Sequence, residues 1–125
     1  MRREMLRAKI HRATVTQSDF AYLGSLTLDS LLMEATDLRE FEKIDVYNID
    51  NGARLSTYII RGEPGSGVVC LNGAAAHHAS AGHKVIICAY ASVDEKDLDR
   101  HEPRVVIVDD HNRIATTISP TPAAS

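Results

Sequence analysis

The stretch IDVYNIDNGARLSTYII, residues 44–60, decides the fold. Its two halves, 44–49 and 53–60, are rich in β-branched and aromatic residues, and Asp50-Asn51-Gly52 separates them. Asn-Gly between two such runs is the strongest short-range signal of a β-hairpin, because both residues tolerate positive φ. Upstream of the hairpin, Leu6, Ala8 and Ile10 alternate with Arg7, Lys9 and His11, and Thr14-Val15-Thr16 extends the run. That period of two predicts a strand with Lys9 and His11 on its polar side. Gln17-Ser18-Asp19 breaks it, and residues 22–28 read as a second strand interrupted at Gly24. A glycine inside a strand pattern marks a bulge or a close backbone approach. Asp29 or Ser30 caps a short helix through Leu31, Leu32, Met33 and Ala35.

Downstream, residues 62–67 form a glycine-rich turn into a strand at 68–71. Asn72-Gly73-Ala74-Ala75-Ala76 opens a short helix or turn ending near Ala81-Gly82. Residues 84–90 give a central apolar strand, 94–99 an acidic loop or helical turn, and 104–108 and 113–118 the last two strands. The tail 120–125 is small and Pro-containing, and is expected to fray. About seven short strands and two helical pieces, without repeats or a linker, predict one mainly-β domain over residues 1–125. A compact β-barrel fits this better than a βαβ sheet.

Composition narrows the function classes. An apolar fraction of 44% excludes a wholly disordered chain. A net charge of −3 argues against a nucleic-acid partner, since phosphate binding is mostly a basic-surface effect. Arg2, Arg3, Arg7, Lys9 and Arg12, opposed only by Glu4, read as a solvated edge or a patch facing an anionic ligand. The longest apolar run, 85–91, is far short of the ~20 residues that span a bilayer, and no apolar leader stands at the N-terminus. The expectation is a cytoplasmic protein without a membrane partner. Cys70 and Cys88 then read as buried thiols in strands, with a disulfide the minor reading.

Several constellations invite chemistry. Cys70, His77, His78, His83 and Cys88 cluster, yet no metal-ligand spacing joins them, so no metal is expected. The loop 62–67 lacks a Gly-Lys-Ser/Thr ending and precedes a strand, so it is a turn and not a phosphate cradle. On the second hairpin arm Arg54, Ser56 and Tyr58 share one face while Thr57 points the other way. Such an Arg–Tyr pair could bind a carboxylate and hold a proton donor. Taken alone, an exposed strand face with salt bridges is the more ordinary reading. Gly24-Ser25 differs. A serine hydroxyl can attack the carbonyl before it when glycine removes the Cβ clash and permits a strained turn. The dipeptide is not specific, since Gly65-Ser66 occurs too, but only Gly24-Ser25 interrupts an apolar strand.

Taken together, these segments resemble the pyruvoyl-dependent bacterial aspartate 1-decarboxylases. The matching stretches are Met5-Leu6, Lys9-Ile10-His11-Arg12-Ala13, Val15-Thr16, Tyr22-Leu23-Gly24-Ser25 and Ile44. They continue with Asn51-Gly52, Arg54-Leu55-Ser56-Thr57-Tyr58 and Asn72-Gly73-Ala74-Ala75-Ala76-His77. Near the end His101-Glu102-Pro103-Arg104-Val105-Val106 and Val108-Asp109 also fit. The resemblance covers nearly the whole chain, in order. It departs at His78, in the charged loop 94–99 and in the tail.

The resemblance implies a double-psi β-barrel, a homotetramer, and a zymogen that cuts itself between Gly24 and Ser25 into a β chain (1–24) and an α chain (25–125). Ser25 would become a pyruvoyl cofactor by way of an ester and a dehydroalanine, with Thr57 assisting. The pyruvoyl ketone would bind substrate as a Schiff base and accept the electrons left by departing CO2. The reaction implied is L-aspartate to β-alanine and CO2, on the route to pantothenate. Tyr58 would be the proton donor, and Lys9, Arg54, Thr57, Asn72, Gly73, Ala74 and Ala75 would contact substrate. His11 and Tyr22 would support neighbouring groups. Some relatives need a helper protein for cleavage. Two other readings stand beside this one: a β-barrel binding module that is never processed, and a pyruvoyl enzyme for another small amino acid such as glutamate.

Overall fold

The computed structural model describes residues 1–20 and 24–118, so Tyr22 and the tail 120–125 lie outside the described residues. The elements are β1 (Arg2–Thr14), β2 (Gln17–Asp19), β3 (Ser25–Asp29), α1 (Ser30–Thr36), β4 (Lys43–Asn48) and β5 (Arg54–Gly62). There follow β6 (Val69–Asn72), a 3-10 segment (Gly73–His78), β7 (Lys84–Asp94), a second 3-10 segment (Glu95–Arg100), β8 (Arg104–Val108) and β9 (Ile114–Ile118). The fold is a single, mainly-β domain.

The Asn-Gly hairpin forms as its residues dictate. β4 and β5 pair antiparallel from Lys43↔Tyr58 to Tyr47↔Arg54, and Gly52 takes a φ of 75° in the turn. The first strand carries two register shifts, and Arg12 sits at a φ of 66° in the second. Two elements exceed the sequence reading. Gln17–Asp19 is a strand and not a break, because it pairs parallel with β6 through backbone groups alone. β7 runs on to Asp94 because β1 pairs with it out to Arg2↔Asp94. The described residues therefore hold nine strands against about seven expected, and three short helical pieces against two.

All nine strands join in the order β2-β6-β3-β5-β4-β7-β1-β8-β9. β2 and β1 stand six places apart in that order, yet only Val15 and Thr16 separate them along the chain. The sheet must therefore curl until its β2 end returns to β1. Val15 N–H donates to His83 O at 2.9 Å and Thr16 N–H to Val69 O at 2.8 Å, pinning that corner. The ladder is not one closed hydrogen-bonded ring, but the curl encloses a core as a barrel does. Ile10, Leu26, Ile44, Ile59, Leu71 and Ile87 are fully buried inside it. Each such side chain contributes about 1.5–3 kcal/mol by leaving water.

Asp29 holds the next corner. Its carboxylate accepts from Leu31 N at 2.9 Å, capping α1, and from Gly65 N at 3.0 Å and Gly67 N at 2.8 Å. Gly67 has a φ of 73°, and a Cβ there would lie 2.8 Å from His111 O, so no other residue fits. Among the described residues no helix is long and apolar enough to cross a membrane.

Candidate active site

The site is built where one ladder stops. β3 pairs parallel with β5 from Leu26↔Ile59 to Asp29↔Gly62. Residues 54–58 of β5 pair with β4 on one side only, so their other edge is open. Continued backwards, the β3/β5 register sets Ser25 beside Tyr58 and Gly24 beside Thr57. A cleft of about 310 Å³ runs along this open edge, lined by Gly24, Leu55, Ser56, Thr57, Tyr58, Ala74, Ala75 and His78. Exposure alternates along Arg54, Leu55, Ser56, Thr57 and Tyr58 as the strand period requires. Thr57 and Tyr58 nevertheless reach one cleft, because it wraps the edge of the strand and not one of its faces.

The opposite wall comes from the end of β6. β3 and β6 pair antiparallel, with Ser25 opposite Asn72 and Thr27 opposite Cys70. Leu26 and Leu71 point into the core from this pair, while Ser25, Thr27, Cys70 and Asn72 share the other face. Asn72 Nδ2 donates to Ser25 Oγ and to Thr27 Oγ1, both at 2.9 Å, and Cys70 Sγ donates to Asn72 Oδ1 at 3.1 Å. Ser25 is 1% exposed and Asn72 3%. Burial raises the Cys70 thiol above its ordinary pKa. Gly73, at a φ of 59°, turns the chain from β6 into the 3-10 segment that presents Ala74 and Ala75.

Gly24 departs from the strained turn expected of it. It directly precedes β3, and it is absent from the glycines with left-handed φ; the residues before it, on which an interrupted strand depends, lie outside the described residues. A Cβ on it would find its nearest neighbours at 3.9 Å (Asn72 O) and 4.0 Å (Ala74 N), an ordinary contact distance. Among the described residues, no contact excludes a side chain here.

The cations stand elsewhere. Arg54 lies at the exposed start of β5, its guanidinium 4.8 Å from the centre of the Tyr47 ring, and Tyr47 and Tyr90 share a 2.9 Å hydroxyl–hydroxyl bond. That bond, reinforced by burial, raises the pKa of Tyr90 well above the ordinary tyrosine value. Lys9 is in register with Cys88, Cys88 with Asp45, and Asp45 with Ser56. It is therefore three inter-strand steps from the cleft, about 14 Å along the sheet. His11 Nδ1 is buried with no hydrogen-bond partner among the described residues. Burial first, then the charges of Lys9 and Arg12, lowers the His11 pKa. Gly24, Thr57, Tyr58, Ala74 and Ala75 thus meet at one cleft with Ser25 and Asn72 behind it, whereas Lys9, Arg54 and His11 do not.

Sequence reasoning missed Ser56 and His78 in the cleft, and Cys70 and Thr27 in the network behind it. It also missed Tyr47 and Tyr90 beneath Arg54. Ser56 was within reach of the period-two reading of its strand, but the others depend on registers that no local pattern encodes.

Residues 1–115 match the protein family described as aspartate decarboxylase. Among curated proteins, an aspartate 1-decarboxylase of Ruminiclostridium cellulolyticum is 56% identical over 88% of this chain and 86% of its own length. That of Ralstonia nicotianae is 54% identical over 91% of this chain and 95% of its own. That of Clostridium acetobutylicum is 52% identical over 92% and 91%.

Proposed function

The chain belongs to the aspartate decarboxylase family, and on that premise we propose that it removes the α-carboxylate of L-aspartate, giving β-alanine and CO2. We propose further that it first cuts itself between Gly24 and Ser25 and that Ser25 becomes the pyruvoyl cofactor. The observation that carries this reading is the juxtaposition of the Gly24-Ser25 peptide with Thr57, Tyr58 and the Asn72 amide at one cleft.

The residues present fit such a group. Ser25 Oγ already accepts an N–H from Asn72, which favours charge on that oxygen as it attacks the Gly24 carbonyl. Elimination from the ester leaves Gly24 as a carboxylate and residue 25 as a dehydroalanine. Water then replaces the nitrogen of that residue, and ammonia departs. Once formed, the ketone supplies an electron sink for decarboxylation. Thr57 assists the cut from the open edge of β5, and Ala74 and Ala75 close the far wall of the cleft, with Asn72 and Gly73 leading into it.

Tyr58 returns a proton to the substrate carbon after CO2 leaves. Arg54, outside the cleft of its own chain, would hold the side-chain carboxylate, the one that stays, at a cleft completed across a subunit boundary. A cation fixed on the leaving carboxylate would stabilise the ground state and slow the reaction. Lys9, three strands away in its own chain, reaches a cleft as a neighbouring subunit's residue in a homotetramer. The product is the β-amino acid that pantothenate synthesis consumes.

The test is a denaturing intact-mass spectrum of the protein after warm incubation, alone and with cell extract to supply a helper. The reading expects residues 1–24 and 25–125 as separate masses, the larger one ammonia lighter than a serine-started chain. Release of CO2 from aspartate should appear in step with the cut. A chain that stays whole in both samples would return the protein to a binding module.

A further inference from the structure

We infer that Cys70 is a positioning residue for the self-cleavage proposed above, its S–H fixing which end of the Asn72 amide faces Ser25. The inference rests on that reading and adds a residue to it. Every polar position of the Asn72 side chain is engaged: Oδ1 by Cys70 Sγ at 3.1 Å, and Nδ2 by Ser25 Oγ and Thr27 Oγ1 at 2.9 Å each. Asn72 and Cys70 are both 3% exposed and Ser25 1%, so water does not compete for the bonds among these three.

An amide can be turned end for end at little steric cost, and the partners decide which way it rests. A hydroxyl can donate or accept, so it tells the two ends of an amide apart less sharply than a thiol does. The Cys70 thiol donates through S–H, at 3.1 Å to Asn72 Oδ1 against 4.0 Å to Leu71 O, and sulfur is a weak acceptor, so a turned amide would exchange the shorter bond for an N–H aimed at sulfur. Burial raises the thiol's pKa against an opposing hydrogen bond with the Gln17 side chain, and so keeps the thiol protonated and a donor.

The orientation matters for the chemistry. In the acyl shift the Ser25 Oγ–Gly24 carbon bond forms, the Gly24 carbon–Ser25 nitrogen bond breaks, and the hydroxyl proton ends on the freed amine. No further reactant is consumed. Negative charge grows on Oγ as it attacks, and an N–H directed at it stabilises that charge. A turned amide would set its carbonyl oxygen against Oγ, bind the hydroxyl proton and oppose the attack.

The experiment follows cutting of freshly made chain by intact mass, for wild type and for Cys70→Ala and Cys70→Ser. Unfolding midpoints and the Asn72 side-chain NH2 signals in 15N spectra are recorded on the same samples. Removal of the donor should slow cutting about twofold if the two amide orientations become equally populated, and up to about tenfold if the turned one prevails. Cys70→Ala should then show a second set of Asn72 NH2 signals. Cys70→Ser, which keeps a donor, should restore one set and a rate near wild type. Overturning results are cutting by Cys70→Ala at the wild-type rate, a single unshifted Asn72 signal set in it, or equal slowing in both variants that follows lost stability. A wild-type chain that never cuts overturns the proposed function itself, and the Asn72 signals then still report whether the thiol holds the amide.

Discussion

Two polar regions of this molecule are organised in opposite ways. Behind the cleft, buried Ser25, Cys70 and Asn72 form a network with half-buried Thr27 at its edge. On the outer sheet, Arg54 lies over the Tyr47 ring, and Tyr47 in turn bonds Tyr90. Arg7 makes the contrast sharper, since Glu42 holds it at 2.6 Å, whereas Arg54 is held by the face of a ring. A ring steers a guanidinium without neutralising it, so its donors stay available to a foreign carboxylate. The buried network suits a single event within the chain. The open one suits a ligand that comes and goes.

The comparison breaks first on a pair of variants. Ser25→Ala should leave the chain whole and without turnover, while Arg54→Ala should be cut at the wild-type rate yet lose about a thousandfold in kcat/KM for aspartate. Slow cutting in Arg54→Ala, read by intact mass, would merge the two regions into one. Tyr58→Phe stands between them. It should be cut normally and lose about a hundredfold in kcat, measured by CO2 release, if Tyr58 is the proton donor proposed above. Tyr47→Leu removes the ring beneath Arg54 and should raise KM for aspartate about three- to tenfold with kcat little changed. An equal fall in kcat would place the ring in the chemistry.

The smallest effect is a pH slope from His11, outside both regions. Its pKa is lowered from the ordinary 6.5 in the folded chain, so the unfolded chain binds more protons between the two values. Stability should therefore be complete above about 6.5 and fall as pH drops through that window. His11→Gln should flatten this part of the stability curve in denaturant titrations across pH.

These regions were not equally legible in the sequence. Asn51-Gly52 announced the hairpin that carries Arg54, Thr57 and Tyr58, because a two-residue turn signal is local. The cap at Asp29 was legible for the same reason, although its clamp on Gly65 and Gly67 was not. β2 was hidden because backbone pairing with β6 needs no apolar pattern. The Cys70–Asn72–Ser25 network was hidden because it depends on the β3/β6 register, which joins Ser25 and Asn72 across 47 positions. The resemblance set Lys9 and Arg54 at one substrate, and the strand order shows them apart within one chain.

The segment that turns the sheet back on itself carries one more consequence. Residues 1–20 supply β1, held between β7 and β8, and then β2 against β6, and all of this lies on the amino-terminal side of Gly24. A cut after Gly24 leaves that piece woven through the fold with no covalent tie to it. Folding of one intact chain is a first-order process. Reassembly of the cut protein requires two molecules to meet, so its recovery from denaturant depends on concentration. The uncut chain is then the form that can find the fold unaided, and the cut form keeps a fold it could not easily regain after dilution.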